Sequence, residues 1–168
     1  RFIYSKKNVI VVTTIEAVMQ KMIARSTLYK NVIYFKIGNE FDLEELKQIL
    51  INLGYVRSDM IEGRGQFSVR GGIVDIGITE KEGVRIEFWG DEVDSIRKFN
   101  ISSQRSTENI EKATIYPATE FVLEKPIEEV CKKILESYPE TEEDVEIIKS
   151  GNYISKIDKY FNCFYEKQ

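Results

Sequence analysis

The fold is decided by a stretch in the middle of the chain, residues 66–76, with the sequence QFSVRGGIVDI. Its apolar residues alternate with polar ones on both sides of a glycine pair. The same alternation returns in residues 84–89, VRIEFW, and turns are expected at residues 80–83 and 90–91. A period of two residues is typical of strands that bury one side and expose the other. Residues 55–116 are therefore predicted to form an antiparallel β-meander.

Two strands and a helix are expected in front of the meander. The β-branched run in residues 8–14 predicts a buried strand, residues 15–24 predict a helix, and residues 32–37 predict a second strand. This order is typical of an α/β layer, so residues 1–41 are interpreted as its tail. The helix would bury an apolar stripe formed by Ile15, Val18, Met19 and Met22.

The meander is expected to pack against a helix that begins after Asp42 and ends at Leu53. An Asp carboxylate in front of a helix accepts backbone N–H groups that have no partner within the helix. Gly54 follows at the position where a helix commonly ends in a left-handed residue. Residues 42–118 are thus predicted to be one module.

Residues 119–168 are predicted to be a helical segment. A helix is expected from Pro126 to Ser137, within an acidic stretch that is typical of solvated surface. A last helix is expected to carry an apolar face, which we interpret as a surface for a partner: Tyr153, Ile154, Ile157, Tyr160, Phe161 and Phe164. The fold class is α+β, with an antiparallel β-meander module packed with helices, the tail of an α/β layer before it and a C-terminal helical segment after it.

Composition narrows the class of protein. The chain has 168 residues, and no apolar run approaches the roughly 20 residues of a membrane helix. A net charge of -4 disfavours binding to DNA through a broad basic face. Two cysteines are too few for a disulfide framework, so a reducing, cytoplasmic setting is expected. The chain begins with Arg1 rather than Met, which suggests a fragment of a longer protein.

The sequence lacks the residues that several kinds of functional site require. The sequence contains no histidine, no Gly-Lys step of a phosphate-binding loop and only two separated cysteines. We therefore expect no catalytic, cofactor-binding or metal-binding residues. Residues 91–94, DEVD, follow an apolar run, as the carboxylates of a magnesium site would. A hairpin turn is the favoured interpretation, because no phosphate-binding loop accompanies them.

Five segments occur in a fixed order between residues 54 and 121: GYVRSD at 54–59, GQFSVRGGIVDI at 65–76, RIEFWGDEVDSIR at 85–97, QRS at 104–106 and PATEF at 117–121. In order and spacing they resemble the family of transcription-repair coupling factors (Mfd). UvrB, the damage-verifying subunit of the excision nuclease, shares part of this pattern. Gly72 and the QRS segment favour the coupling factors over UvrB.

The resemblance implies a non-catalytic module that binds a UvrA-like damage-recognition protein in transcription-coupled nucleotide excision repair. Residues 1–41 would correspond to the end of UvrB domain 1a and residues 42–118 to UvrB domain 2. The full-length parent would be an ATP-dependent DNA translocase that contacts RNA polymerase and DNA through parts absent from this chain. Arg57 and Arg70 match family positions that engage the partner's acidic surface, and Ser68 stands where UvrB tends to have a third arginine.

Alternatives remain open at this point. The glycine pair after Arg70 is expected to let the backbone bulge and to re-aim the arginine towards a partner. Alternatively, Arg57 and Arg70 pair within the chain with Asp59, Glu62 or Asp75. The chain could also be a fragment of a UvrB-type subunit, a catalytic fragment of a nucleic-acid enzyme, or a DNA-contacting module.

Overall fold

The computed structural model describes residues 10, 12–19, 23–119, 122, 125–149 and 157–165. Within them the helices are α1 (Ile15–Met19), α2 (Arg25–Lys30), α3 (Leu43–Asn52), α4 (Ile127–Ser137), α5 (Glu142–Lys149) and α6 (Phe161–Phe164), and a 3-10 helix covers Ile157–Tyr160. The strands are β1 (Ile33–Lys36), β2 (Val56–Arg57), β3 (Gln66–Arg70), β4 (Ile73–Gly77), β5 (Glu82–Trp89), β6 (Glu92–Asn100), β7 (Ser106–Ile110) and β8 (Lys112–Ile115).

Strands β2 to β7 form one six-stranded sheet in sequence order. The β2–β3 pair is parallel and every later pair is antiparallel, so the predicted meander and the α+β class are confirmed. The turn between β4 and β5 falls at residues 78–81, two residues before the predicted place. Thr79 fixes it, because its hydroxyl oxygen accepts hydrogen bonds from the N–H groups of Lys81 and Glu82.

Strand β8 does not belong to the meander, contrary to the prediction that the sheet continues to residue 116. It pairs antiparallel with β1, with Ile33 opposite Ile115. Both isoleucines are buried. The pairing joins a strand before the predicted boundary at residue 42 to one after the meander, and local alternation cannot reveal such a long-range partner.

One face of the six-stranded sheet packs with helix α3 around the main core. Asp42 caps this helix as predicted, since its carboxylate accepts hydrogen bonds from the N–H groups of Glu44 and Glu45. Gly54 follows the helix with φ +82°. The helix and the sheet contribute to one apolar cluster that includes Leu46, Leu50, Phe67, Val74, Ile76 and Ile86.

Helices α4, α5 and α6 and the 3-10 helix form a second core. The aromatic residues predicted to face an outside partner lie inside it: Tyr160 and Phe164 are buried. That prediction is therefore wrong for Ile157, Tyr160 and Phe164, whereas Phe161 is half-buried, and Tyr153 and Ile154 lie outside the described residues. The aromatic side chains pack instead against Val130 and Ile134 of α4, which the predicted helix from Pro126 to Ser137 supplies.

The expected elements at the start of the chain are only partly present. Residues 10 and 12–14 are exposed and not in a strand. The helix covers Ile15–Met19, and residues 23 and 24 are not helical. Residues 8, 9, 11 and 20–22, which include Met22 of the predicted stripe, lie outside the described residues. The predicted core stripe is exposed at Ile15, Val18 and Met19. A β-branched run forms a strand only when a neighbouring strand supplies hydrogen bonds, and none of the described residues pairs with it.

The glycine pair after β3 forms a tight hairpin turn, where the sequence suggested a bulge. Residues 71 and 72 link the directly paired Arg70 and Ile73, and Gly71 has φ +60°. The N–H of Phe88 donates to the Gly72 carbonyl at 2.7 Å. A Cβ on Gly72 would lie 2.7 Å from the Phe88 carbonyl oxygen, so this close approach requires glycine.

Candidate functional site

The sheet face opposite the main core carries a connected set of polar side chains. The register aligns one residue from each of β3, β4, β5 and β6 in a single row. Residues two positions away along each strand project to the same side. We call this surface the polar face and define it by these residues: Ser68, Arg70, Asp75, Arg85, Glu87, Ser95 and Arg97.

Asp75 is the centre of the polar face, because two arginines bind its carboxylate. The side chain of Asp75 is 1% exposed. Arg85 binds both carboxylate oxygens, with Nε to Oδ1 at 2.7 Å and Nη2 to Oδ2 at 2.9 Å. Arg70 adds a single bond from Nη2 to Oδ2 at 2.8 Å. Arg70 thus pairs within the chain with Asp75, which is one of the alternatives that the sequence left open.

The two arginines differ in how firmly the fold holds them. The Arg85 side chain is 17% exposed, and its guanidinium lies 5.1 Å from the centre of the Phe99 ring. Its hydrogen bonds to Asp75 raise the pKa of the Arg85 guanidinium. The Arg70 side chain is 51% exposed and belongs to the last residue of β3. Arg85 is therefore the structural partner of Asp75, and Arg70 is the accessible one.

A second ion pair continues the polar face towards β6. Glu87 accepts a hydrogen bond from the Ser95 hydroxyl at 2.9 Å and forms a short ion pair with Arg97. The Arg97 side chain is about one-third exposed. The residues that define the polar face carry three arginines and two carboxylates, so their formal charges sum to +1. Glu92, at the start of β6, is an exposed carboxylate on the same side, so the accessible positive charge of this face is that of Arg70 and not a net positive surface.

Arg57 lies apart from Arg70. It ends the short edge strand β2 and is exposed. The register aligns Arg57 with Phe67, whose side chain belongs to the core face, whereas Arg70 projects to the polar face. Among the contacts of the described residues, Arg57 forms no ion pair with Asp59 or Glu62. The structure thus does not bring the two predicted binding arginines together.

Other chemistry has little support in the described part of the chain. No group of three or more Cys, Asp or Glu side chains there could hold a metal ion. Residues 90 and 91 form the hairpin turn between β5 and β6, as the sequence predicts. None of the helices described above combines the length and the apolar composition that crossing a bilayer requires.

Comparison with known proteins places this sheet in a family. The UvrB interaction domain family matches residues 33–121, which include both β1–β8 and the complete six-stranded sheet. The chain belongs to the UvrB interaction domain family. The match begins at β1, so it covers the whole of the sheet and also the strand pair that joins its two ends.

The chain is also similar to part of the transcription-repair coupling factors. The chain is 30% identical to the factor of Bacillus subtilis over 94% of its own length and 15% of that protein. It is 39% identical to the factor of Staphylococcus haemolyticus over 62% of its length and 9% of that protein. The chain thus spans only a small part of these relatives, and the resemblance stated from the sequence is confirmed.

Sequence reasoning overlooked two arginines of this UvrB interaction domain. Arg85 and Arg97 lie in the same cross-strand row as Ser68 and contribute most of the ion pairs of the polar face. Their alternation with the buried residues Val84, Ile86 and Ile96 was a usable signal. Ser68 is buried opposite Asp75, although alternation suggested a wet position.

Proposed function

We propose that this chain is a non-catalytic recruitment module that binds a UvrA-like damage-recognition protein within a transcription-repair coupling factor, in transcription-coupled nucleotide excision repair. The full-length parent is an ATP-dependent DNA translocase in this proposal and acts in the cytoplasm. Its contacts with RNA polymerase and DNA lie in other parts of that protein. Residues 42–118 form the binding module, between the end of a UvrB-like first domain and a helical segment.

The observation that carries the proposal is the half-exposed Arg70 beside a carboxylate that Arg85 already neutralises. Because Arg85 binds both oxygens of Asp75, Arg70 can turn towards a partner without leaving a buried charge unpaired. A guanidinium pairs well with carboxylates across an interface, since its planar N–H groups match two oxygens at once. The partner surface in contact with Arg70 is therefore acidic.

Arg57 is the second binding residue in this proposal. It projects from the exposed edge strand β2, one strand away from Arg70, so a partner reaches both by covering the β2–β3 edge of the sheet. Its contact is the weaker one, because none of the polar-face ion pairs positions its side chain. Loss of Arg57 should reduce binding less than loss of Arg70.

The test is a surface-binding assay between the purified chain and the UvrA homologue of the same organism. Arg70→Ala should weaken binding at least about 30-fold, since truncating one partner of a buried charge pair costs about 2–5 kcal/mol. Arg70→Glu should abolish binding, Arg57→Glu should weaken it, and wild-type association should slow as salt increases. A thermal melt of each variant separates lost binding from lost folding.

Arg105→Glu is the matched control, because it reverses an exposed charge in the β6–β7 loop at the opposite end of the sheet. It should bind like wild type. Normal binding by Arg70→Glu would show that the interface lies elsewhere. Equal losses for Arg105→Glu and Arg70→Glu would indicate a diffuse charge effect instead of a defined contact.

A further inference from the structure

Trp89 is the single tryptophan of the chain, and its side chain is 84% exposed. It is the last residue of β5 and lies directly before the Gly90–Asp91 turn. None of the described aromatic rings stacks on it. Single exposed apolar residues are common on folded domains, but an indole is the largest apolar side chain, and tryptophan is enriched among the residues that dominate binding energies.

Trp89 lies on the polar face, at the same end as Arg70. Burial alternates along β5, so Trp89 projects to the side of Glu87 and away from the buried Phe88. The hairpin turn after Arg70 approaches this point, because the Gly72 carbonyl accepts the N–H of Phe88. The β3–β4 and β5–β6 turns therefore bring an exposed arginine and an exposed indole to one end of the face.

We propose that Trp89 is the apolar anchor of the same interface as Arg70, and that it inserts into an apolar pocket on the UvrA-like partner, beside the carboxylate that pairs with Arg70. This inference rests on the proposed function and names the part of the partner surface that fits. Tryptophan and arginine are the side chains most enriched among residues that dominate binding energies.

The position of Trp89 beside Arg70 favours the UvrA-like partner of the proposed function over the other possible occupants. The polar face ends beside Trp89 with the half-exposed Arg70 and with Glu92, which lies directly opposite Trp89 in the β5–β6 register, so this end carries charges of both signs. A partner that places a carboxylate on Arg70 also covers the indole. The arginines of the polar face are also bound to Asp75 and Glu87, which leaves too little free positive charge for a row of nucleic-acid phosphates. An apolar pocket for Trp89 and a carboxylate placed to reach Arg70 satisfy both side chains.

The first experiment measures affinity for the purified UvrA homologue with Trp89→Ala, using Tyr34→Ala as the matched control. Tyr34 is an exposed aromatic residue on β1, in the other sheet. Trp89→Ala should weaken binding about 30-fold or more with an unchanged melting temperature, as for other residues that dominate an interface. Tyr34→Ala should bind like wild type.

A second measurement follows the indole directly. Incorporation of 5-fluorotryptophan gives a single ¹⁹F resonance in this chain, because Trp89 is its only tryptophan. The resonance should shift on addition of the unlabelled UvrA homologue and should be restored by excess unlabelled chain. It should stay unchanged when duplex DNA is added or when the concentration of the chain alone is raised.

The outcomes distinguish this inference from the proposed function. If Arg70→Ala loses binding while Trp89→Ala binds normally, the anchor is wrong and the proposed function stands. If wild type does not bind the UvrA homologue, both are wrong. A ¹⁹F shift caused by DNA or by self-association alone would assign Trp89 to another occupant and would overturn the anchor.

Discussion

Arg70 and Arg85 bind the same carboxylate, yet we predict that their removal has very different effects on stability. Arg85→Ala leaves Asp75 buried with a single bond from a half-exposed arginine, and it also removes the contact with the Phe99 ring. Breaking a buried pair costs about 3–5 kcal/mol, and we take about 3 kcal/mol because Arg70 remains. Arg70→Ala leaves both bonds from Arg85 in place and should cost only about 0–1 kcal/mol.

Thermal melts followed by circular dichroism measure this difference. For a chain of this size, each kcal/mol lowers Tm by about 2–4 °C, so Arg85→Ala should lower Tm by about 6–12 °C and Arg70→Ala by at most about 4 °C. Combining Arg70→Ala with Asp75→Asn in a double-mutant cycle then gives the coupling energy of the exposed bond. If Arg70→Ala lowers Tm as much as Arg85→Ala does, Arg70 has a structural role and the reasoning behind the binding site fails.

Three further predictions concern the frame of the module. Gly72→Ala should destabilise the module by about 1–3 kcal/mol in urea titrations, because the new methyl group would meet the Phe88 carbonyl oxygen. Gly71→Asn should be tolerated, because Asn accepts the positive φ of this residue and no atom lies near the new side chain's Cβ. Asp42→Ala should cost about 1 kcal/mol through loss of the helix cap, and Asp42→Ser should restore most of it. Burial raises the pKa of Tyr55 to about 12, above the value near 10 of an unfolded chain. The contribution of un-ionised Tyr55 to the free energy of unfolding should be complete below about pH 10 and should fall as the pH rises towards 12. Thermal melts of wild type and Tyr55→Phe at alkaline pH measure this difference.

The sequence predicts the meander well because strand alternation is a local property. Each strand from β3 to β6 shows its buried side in its own residues, and the turns between them contain Gly or Thr. The pairing of β8 with β1 spans about eighty residues, so no local pattern could predict it. The family resemblance, by contrast, depends on several segments together and was confirmed.

The candidate site was predictable only in part. Alternation places Arg70, Arg85 and Arg97 on one face, but it does not tell which arginine the buried Asp75 holds. That depends on register and on depth below the surface, which require the folded sheet. Similarly, the apolar stripe near the end of the chain indicates that Tyr160 and Phe164 need a partner surface. It cannot show that α4 of the same chain supplies this surface.

The two faces of the sheet have different roles in the proposed function: the core face stabilises the fold and the polar face binds the partner. The core face carries apolar side chains that pack with α3. Substitutions there should lower the free energy of unfolding but leave the residues of the binding surface unchanged. On the polar face Arg85 neutralises the buried Asp75, so we expect Arg70 to contribute little to folding, and we expect the same of Trp89 because its side chain is exposed. Residues with little effect on folding can be adapted to a partner without loss of the domain. Selective loss of binding without loss of stability should therefore map to the end of the polar face where these two side chains lie.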